Sequence, residues 1–343
     1  MKRYLSLDIL KAVGIIYLII LHHTVWMFIQ GDVGGLIFPE AHDLVYNFYR
    51  TSGLGVLGFQ VPILAGVTFY LMLHKKNMSW TSVVKRAAGL SILGFLMNGL
   101  AWGWGSLWTW DVLQFIPLSM VIAYPFLRWR KEDLGCCILL VLSIVALVFA
   151  DQFPFGRQFA DYYFYKVIIG DLSGSNYWAL CPWFSIFVCG IFMGKFFFLH
   201  ERPKTAYWIL LGAVFLLSAV VSGKFLPNTN LDHIWGPFLF KPSILYVVGI
   251  MGFSLIAVSG THFLLQQYPV LNDKLQKSWL IYYSKGILWI YIVSTIAGYH
   301  GTNIVRNYFA LDFSKSIYAL IILISLNLLL SYHIGKFVSR QKA

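Results

Sequence analysis

The sequence predicts an all-α, polytopic membrane protein of about ten transmembrane helices with both termini in the cytoplasm. Composition is the first reason: 59% of the 343 residues are hydrophobic, 18% aromatic and only 12% charged, more apolar surface than a soluble globular chain can hide. The second is run length, since several apolar stretches approach or exceed the 18 residues that read as spans. The third is the placement of lysine and arginine. If the N-terminus is cytoplasmic, seventeen of them fall on that side and seven on the other, with Lys11 and Lys285 inside spans. That bias satisfies the positive-inside rule. It also accounts for the net charge of +12 as a topology signal in short loops, so no nucleic-acid site is read.

The predicted spans are 7–29, 53–74, 84–103, 110–128, 134–151, 178–198, 206–223, 240–263, 279–298 and 316–338. The first follows Lys2 and Arg3 as a signal peptide would, but no small-residue cleavage site succeeds it, so it is expected to stay attached as a span. Asp111 opens the fourth span, where a helix N-cap and a substrate contact are both open readings. The connection 199–205 is short, and no linker marks a separate soluble region, so residues 1–343 are expected to form a single domain. Cys136, Cys137, Cys181 and Cys189 lie inside apolar runs without ligand spacing, and no histidine and carboxylate spacing reads as a metal site.

The segments expected outside, 30–52, 152–177, 224–239 and 299–315, mix carboxylates such as Asp32, Asp161 and Asp232 and the histidines His42 and His233 with Trp235 and many tyrosines. Aromatic rings beside polar groups suit the apolar face and hydroxyls of a sugar, although aromatic belts also occur at membrane interfaces with no ligand.

The first span has unusual content. On a helix, Asp8, Lys11, Ile15, Leu18 and His22 fall on one stripe, and His23 turns away from it. Ionisable groups in a span cost roughly 2.5–3.5 kcal/mol each on insertion scales and usually mark a site. Lys11 lies toward the cytoplasmic end, and His22 lies about 16 Å further along the axis. A cation there suits an anionic donor and an imidazole deeper in suits a general base. The bland alternatives are a snorkelling lysine and a histidine bonded to a neighbouring helix. Asn98 and Gln114, in the outer halves of adjacent spans, are read either as acceptor-binding groups or as a tie between helices. Lys285, about two turns into the ninth span, is read as snorkelling or as a contact to a donor phosphate. His74, His200, His262 and His333 fall near cytoplasmic ends and are expected to be solvated.

The run from Arg3 through Lys11, followed after ten residues by His22, resembles the first helix of the transmembrane acyltransferases. In the acyltransferase family three branch, a basic residue and a histidine stand at that spacing. Later segments resemble the branch containing the heparan-alpha-glucosaminide N-acetyltransferase catalytic domain. They are Phe59-Gln60-Val61-Pro62 running to Gly66, Asp111-Val112-Leu113-Gln114, Cys181-Pro182-Trp183-Phe184 to Gly190, and Lys241-Pro242-Ser243-Ile244-Leu245-Tyr246. There are departures. Lys285 stands where the family often has histidine in Leu-x-Tyr-x-x-His. The N-acetyltransferase branch usually has asparagine near the end of its first helix and uses a loop histidine, for which His42 is the candidate here.

The resemblance implies an acetyltransferase that moves an acetyl group from cytoplasmic acetyl-CoA to a hydroxyl or amine of a glycan at the outer face. The expected catalytic set is His22 with Asp8 and Lys11. Asn98, Asp111, Gln114, His42 and Trp183 are expected to bind the acceptor, and Lys11 and Lys285 the donor. Acetyl-CoA is expected as a co-substrate with no permanently bound cofactor and no metal, in a bilayer expected to be the bacterial inner membrane. Homo-oligomer formation stays open. The rival reading is a transporter or lipid-linked sugar translocator, for which inverted repeats would be the signature, and residues 1–170 and 171–343 show no convincing repeat.

Overall fold

A computed structural model describes residues 4–28, 60–152, 163–169, 178–199, 204–225, 244–309 and 313–341. The protein is all-α, with no strand among the described residues. In chain order the helices are α1 (Leu5–Phe28), α2 (Val61–Lys76), α3 (Trp80–Trp102), α4 (Val112–Leu127), α5 (Glu132–Gln152), α6 (Tyr163–Ile169), α7 (Leu180–Met193), α8 (Thr205–Phe225), α9 (Ile244–Gln267), α10 (Pro269–Gln276), α11 (Leu280–Phe309) and α12 (Phe313–Gln341). A helix stands at each place where a span is predicted. Seven are long and apolar enough to cross a membrane. Of the other three, α2 and α4 have 16 residues each in the described part, and α11 is long but more polar. The chain is an integral membrane protein.

One expected boundary is corrected. Segment 299–315 is expected to be a loop, yet α11 continues to Phe309 and α12 begins at Phe313. The extension holds no proline, and Thr302 within it is fully buried, so backbone and side chain are both better satisfied in the helix.

The helices fall into two compact units. The first comprises 59–96 and 108–260, and α2, α4 and α7 run parallel in it. Gly66 and Gly190 set the spacing of α2 and α7. A Cβ on Gly66 would collide with the Phe187 carbonyl, and one on Gly190 would collide with the Ile63 carbonyl, so only glycine lets the backbones approach this closely. At the far end of these helices Arg128 reaches back to the carbonyls of Leu73 and Met78 and to Asn77 Oδ1 at 2.6 Å. It satisfies the end of α2, where Asn77 takes the left-handed conformation. There Glu132, in the first turn of α5, accepts from Tyr70 at 2.6 Å and pairs with Lys195 at 3.3 Å. Lys195 lies in a π-helical turn, Gly194–Phe198, that continues α7.

The second unit comprises residues 2–58, 97–107 and 261–343. Its frame is α1 packed lengthwise on α11, with α12 antiparallel beside both. Ala12, Ile15 and Ile19 of α1 close a buried cluster with Tyr283 and Ile290. Gly286 and Gly335 let α11 and α12 approach, since a Cβ on Gly286 would lie 2.7 Å from the Gly335 Cα.

Candidate functional site

In the second unit the polar stripe of α1 begins against α11. Asp8 is buried, and Ser284 donates to its Oδ1 at 2.6 Å. Lys11, one turn later, is half-buried. Lys285 donates to Ser339 on α12 at 2.9 Å. His262 is not merely solvated, as expected from its position. Its Nδ1 meets Ser6 at 3.3 Å and its Nε2 meets Gln266 at 3.0 Å, which ties the end of α9 to the start of α1.

Further along α1, two adjacent histidines have opposite surroundings. His23 is 1% exposed and has both ring nitrogens engaged. Asn327 Nδ2 lies 3.0 Å from the Ser294 carbonyl and 2.9 Å from His23 Nε2. A carbonyl only accepts, so the amide presents its nitrogen to both, and His23 Nε2 must accept. The ring proton is thereby assigned to Nδ1, which donates to Thr302 Oγ1 at 3.1 Å. Ser331 completes the chain by donating to Asn327 Oδ1 at 3.5 Å. His22, by contrast, is half-buried beside Trp26, 4.9 Å between ring centroids, with Tyr291 at 6.4 Å. Among the described residues no hydrogen bond holds either of its nitrogens. Trp26 is itself braced by Tyr299 edge-on at 5.7 Å and by Arg306, which donates to its carbonyl.

Asn98 is fully buried in this same unit, in the last turns of α3. His300 is 2.8 Å from the neighbouring Leu100 carbonyl.

The expected acceptor residues Asp111, Gln114 and Trp183 belong to the first unit. Asp111 is the N-cap of α4: its side chain accepts from Val112 N at 2.6 Å, and Gln114 Oε1 accepts from Asp111 N at 2.9 Å, the reciprocal capping box. Gln114 Nε2 lies against Gly94 of α3, where a Cβ would be 2.7 Å away, and among the described residues this buried donor has no partner. Trp183 is fully buried, 4.6 Å from Trp178 and edge-on to Tyr246. Trp110 Nε1 donates to the Trp178 carbonyl at 2.9 Å, joining the starts of α4 and α7. His42 lies outside the described residues. Among the described residues no group of three or more histidine, cysteine or acidic side chains is placed to hold a metal.

The sequence matches the heparan-alpha-glucosaminide N-acetyltransferase catalytic family over residues 3–227. The chain belongs to that family. It is therefore a membrane acetyltransferase. The match covers α1 to α8, so the helices that enclose the α1 histidines, α11 and α12, lie beyond it. No curated protein matches this acetyltransferase.

Reading the sequence misses Asn327, Thr302 and Ser294. A signal for Asn327 exists, because it is the one amide in the apolar run 319–330 of α12, and such groups inside a span are usually bonded to another helix. Thr302 and Ser294 carry no such signal. Gln60 is missed as well, since it reads only as a neighbour of the Pro62 motif.

Proposed function

We propose that this acetyltransferase moves an acetyl group from cytoplasmic acetyl-CoA to a hydroxyl or amine of a glycan at the outer face, in a bacterial inner membrane with both termini inside. The observation that carries the reading is the contrast on α1: His23 is fully bonded within the protein, and His22 beside it has no hydrogen bond among the described residues. A base that is already bonded on both nitrogens has no lone pair to offer. His22 has one.

In this mechanism His22 takes the proton of the acceptor hydroxyl or amine as its oxygen or nitrogen attacks the thioester carbonyl carbon. The carbon–sulfur bond breaks, and the proton passes from the imidazolium to the departing thiolate, which leaves as the free thiol. Trp26 and Tyr291 hold the ring in place, and the His23 bracket fixes the rotation of α1 that aims it. Asn98 supplies a donor to the oxyanion. Lys11, nearer the cytoplasmic end, and Lys285 attract the donor's phosphates. Asp8, bonded to Ser284, sits one turn from Lys11 and sets the local charge. Asp111 and Gln114, which cap α4, and Trp183, fully buried in the first unit, are assigned no part in the transfer step at His22.

The test is acetyl-CoA-dependent acetylation of glycans in membranes. His22→Ala should cost about 10² to 10⁴-fold in rate while the protein inserts and melts normally, and retained activity would reject the assignment. Lys11→Ala should raise the KM for acetyl-CoA with little effect on kcat. An unchanged KM removes Lys11 from the donor site.

A further inference from the structure

The end of α4, the turn between α2 and α3, and the start of α5 meet at one corner of the first unit. Arg128 donates to the Leu73 and Met78 carbonyls and to Asn77 Oδ1, and Tyr124 donates to the same Met78 carbonyl at 3.2 Å. Arg86, in the second turn of α3, reaches Met72 Sδ at 3.9 Å. A Cβ on Gly135 would collide with the Phe126 carbonyl, which sets the start of α5 against the last turn of α4. These ties gather cations. Lys75 and Lys76 precede Asn77, Arg130 and Lys131 follow Arg128, and all four are exposed together with Arg86 and Arg128.

Their charge is not cancelled within the corner. Its two carboxylates, Glu132 and Asp133, pair with Lys195 at 3.3 and 2.6 Å, and the acceptors that Arg86 and Arg128 reach among the described residues are neutral. Charge alone would suit any polyanion, but the surroundings narrow the choice. Trp80 and Trp129 stand at the same corner, 46% and 51% exposed, the first against Tyr124 at 5.2 Å and the second stacked on Phe126 at 6.5 Å. Indoles so placed sit at the level of lipid headgroups. Further along the same helices the exposed surface is aliphatic, with Ile92 on α3 and Leu140 and Val141 on α5. A phospholipid supplies an anionic group for the cations and apolar chains for the surface beyond them, whereas a free phosphate or an acidic peptide supplies only the first. The bias of lysine and arginine that sets topology needs neither bracketed arginines nor flanking indoles.

We propose that this corner binds an anionic phospholipid. The phosphodiester lies among Arg86, Arg128 and Arg130, whose guanidinium forks suit its paired oxygens. The exposed lysines add to the attraction, and the acyl chains follow the apolar helix surface. The partner is a lipid rather than the acetyl donor or the acceptor, so the site stands or falls independently of the transfer reaction.

The experiment uses the full chain, delipidated in a neutral detergent, and native mass spectrometry with dioleoyl phosphatidylglycerol and dioleoyl phosphatidylcholine as probes. The wild type should retain phosphatidylglycerol preferentially. Each cation near a membrane surface contributes roughly a five-fold change in affinity for anionic lipid. Arg130→Gln combined with Lys131→Gln removes two exposed charges and none of the side-chain ties above, and should weaken phosphatidylglycerol binding on the order of twenty-fold. Lys274→Gln combined with Lys277→Gln, at the end of α10 in the second unit, removes the same charge elsewhere and should leave the binding unchanged. Inorganic phosphate at the concentration of the lipid should not displace it. Equal retention of the two lipids would leave no headgroup selectivity and overturn the site. An equal loss in both double variants would leave only net charge, and displacement by inorganic phosphate would leave a site for a free anion; either result overturns the lipid site as well.

Discussion

The two units differ in how far their buried polar groups are paired among the described residues. In the second, His23, Asn327, Thr302, Ser294 and Ser331 form a continuous chain, Asp8 takes Ser284 and Lys285 takes Ser339. In the first, Gln60 Nε2, Gln114 Nε2 and the hydroxyls of Ser119, Ser254 and Ser259 are buried with no partner among the described residues, whereas in the second the Thr295 hydroxyl is likewise unpartnered but stands beside that chain of paired groups. Paired groups inside a bilayer protein fix helices against one another, because a broken pair finds no water to replace it. Orphaned groups do no such work, and they are the places where a ligand or water gains most. The paired chain thus holds α1, α11 and α12 against one another, while the orphaned groups of the first unit make no such tie.

The largest expected effect breaks the paired side. Asn327→Leu strands two groups at once, His23 Nε2 and the Ser331 hydroxyl, and also takes a second bond from the Ser294 carbonyl, which keeps its place in the ladder of α11. With roughly 1–3 kcal/mol for each buried group left unsatisfied, moderated by the smaller values usual between membrane helices, a loss of about 3 kcal/mol is expected. It would be read as a lowered melting temperature in detergent. If the bracket also aims His22, kcat should fall with KM for acetyl-CoA unchanged. A variant that melts and turns over like the wild type would show that the chain holds nothing.

A smaller loss is expected on the other side from Gly94→Ala. The new methyl would sit 2.7 Å from both Gln114 Nε2 and Leu113 Cβ. The amide could swing away, but the Leu113 Cβ is fixed by its backbone, so α3 and α4 must part slightly at an overpacking cost of about 1–2 kcal/mol. Displacing the Gln114 side chain also opens the capping box of Asp111. Limited proteolysis at the start of α4 should detect this. Unchanged stability would mean that the helices separate freely there.

How much of this is legible from residues alone follows from the same contrast. The membrane class and the helix at each predicted span can be read, because apolar run length is a one-dimensional property. Asp111 as a cap is readable too, since Asp-x-x-Gln is a local motif. The stripe through Asp8, Lys11 and His22 needs only the helical period. What periodicity does not supply is which helix lies opposite. It turns His23 away from the stripe, but that His23 points into Asn327 and Thr302, some 300 residues along the chain, depends on how α1, α11 and α12 meet. The meeting of Ile63 and Val67 with Gly190 likewise exists only once Gly66 and Gly190 have set the approach of α2 to α7. Lys285 is identifiable as a cation inside a span, while its bond to Ser339 is not.

The smallest effect gives the sharpest form of the comparison, because it uses the same substitution in both units. Ser284→Ala removes a 2.6 Å hydrogen bond to buried Asp8, and a bond to a charged group is worth roughly 1.5–3 kcal/mol in a soluble protein and less between membrane helices. A loss near 1 kcal/mol is expected. Ser254→Ala removes a hydroxyl that is fully buried and has no partner among the described residues. Nothing is broken, a buried polar group is deleted, and the stability should stay within about 0.5 kcal/mol or rise. The pair is read in one melting series. If Ser254→Ala costs as much as Ser284→Ala, then the Ser254 hydroxyl is held by bound water even without added substrate, and it does not count among the orphaned groups.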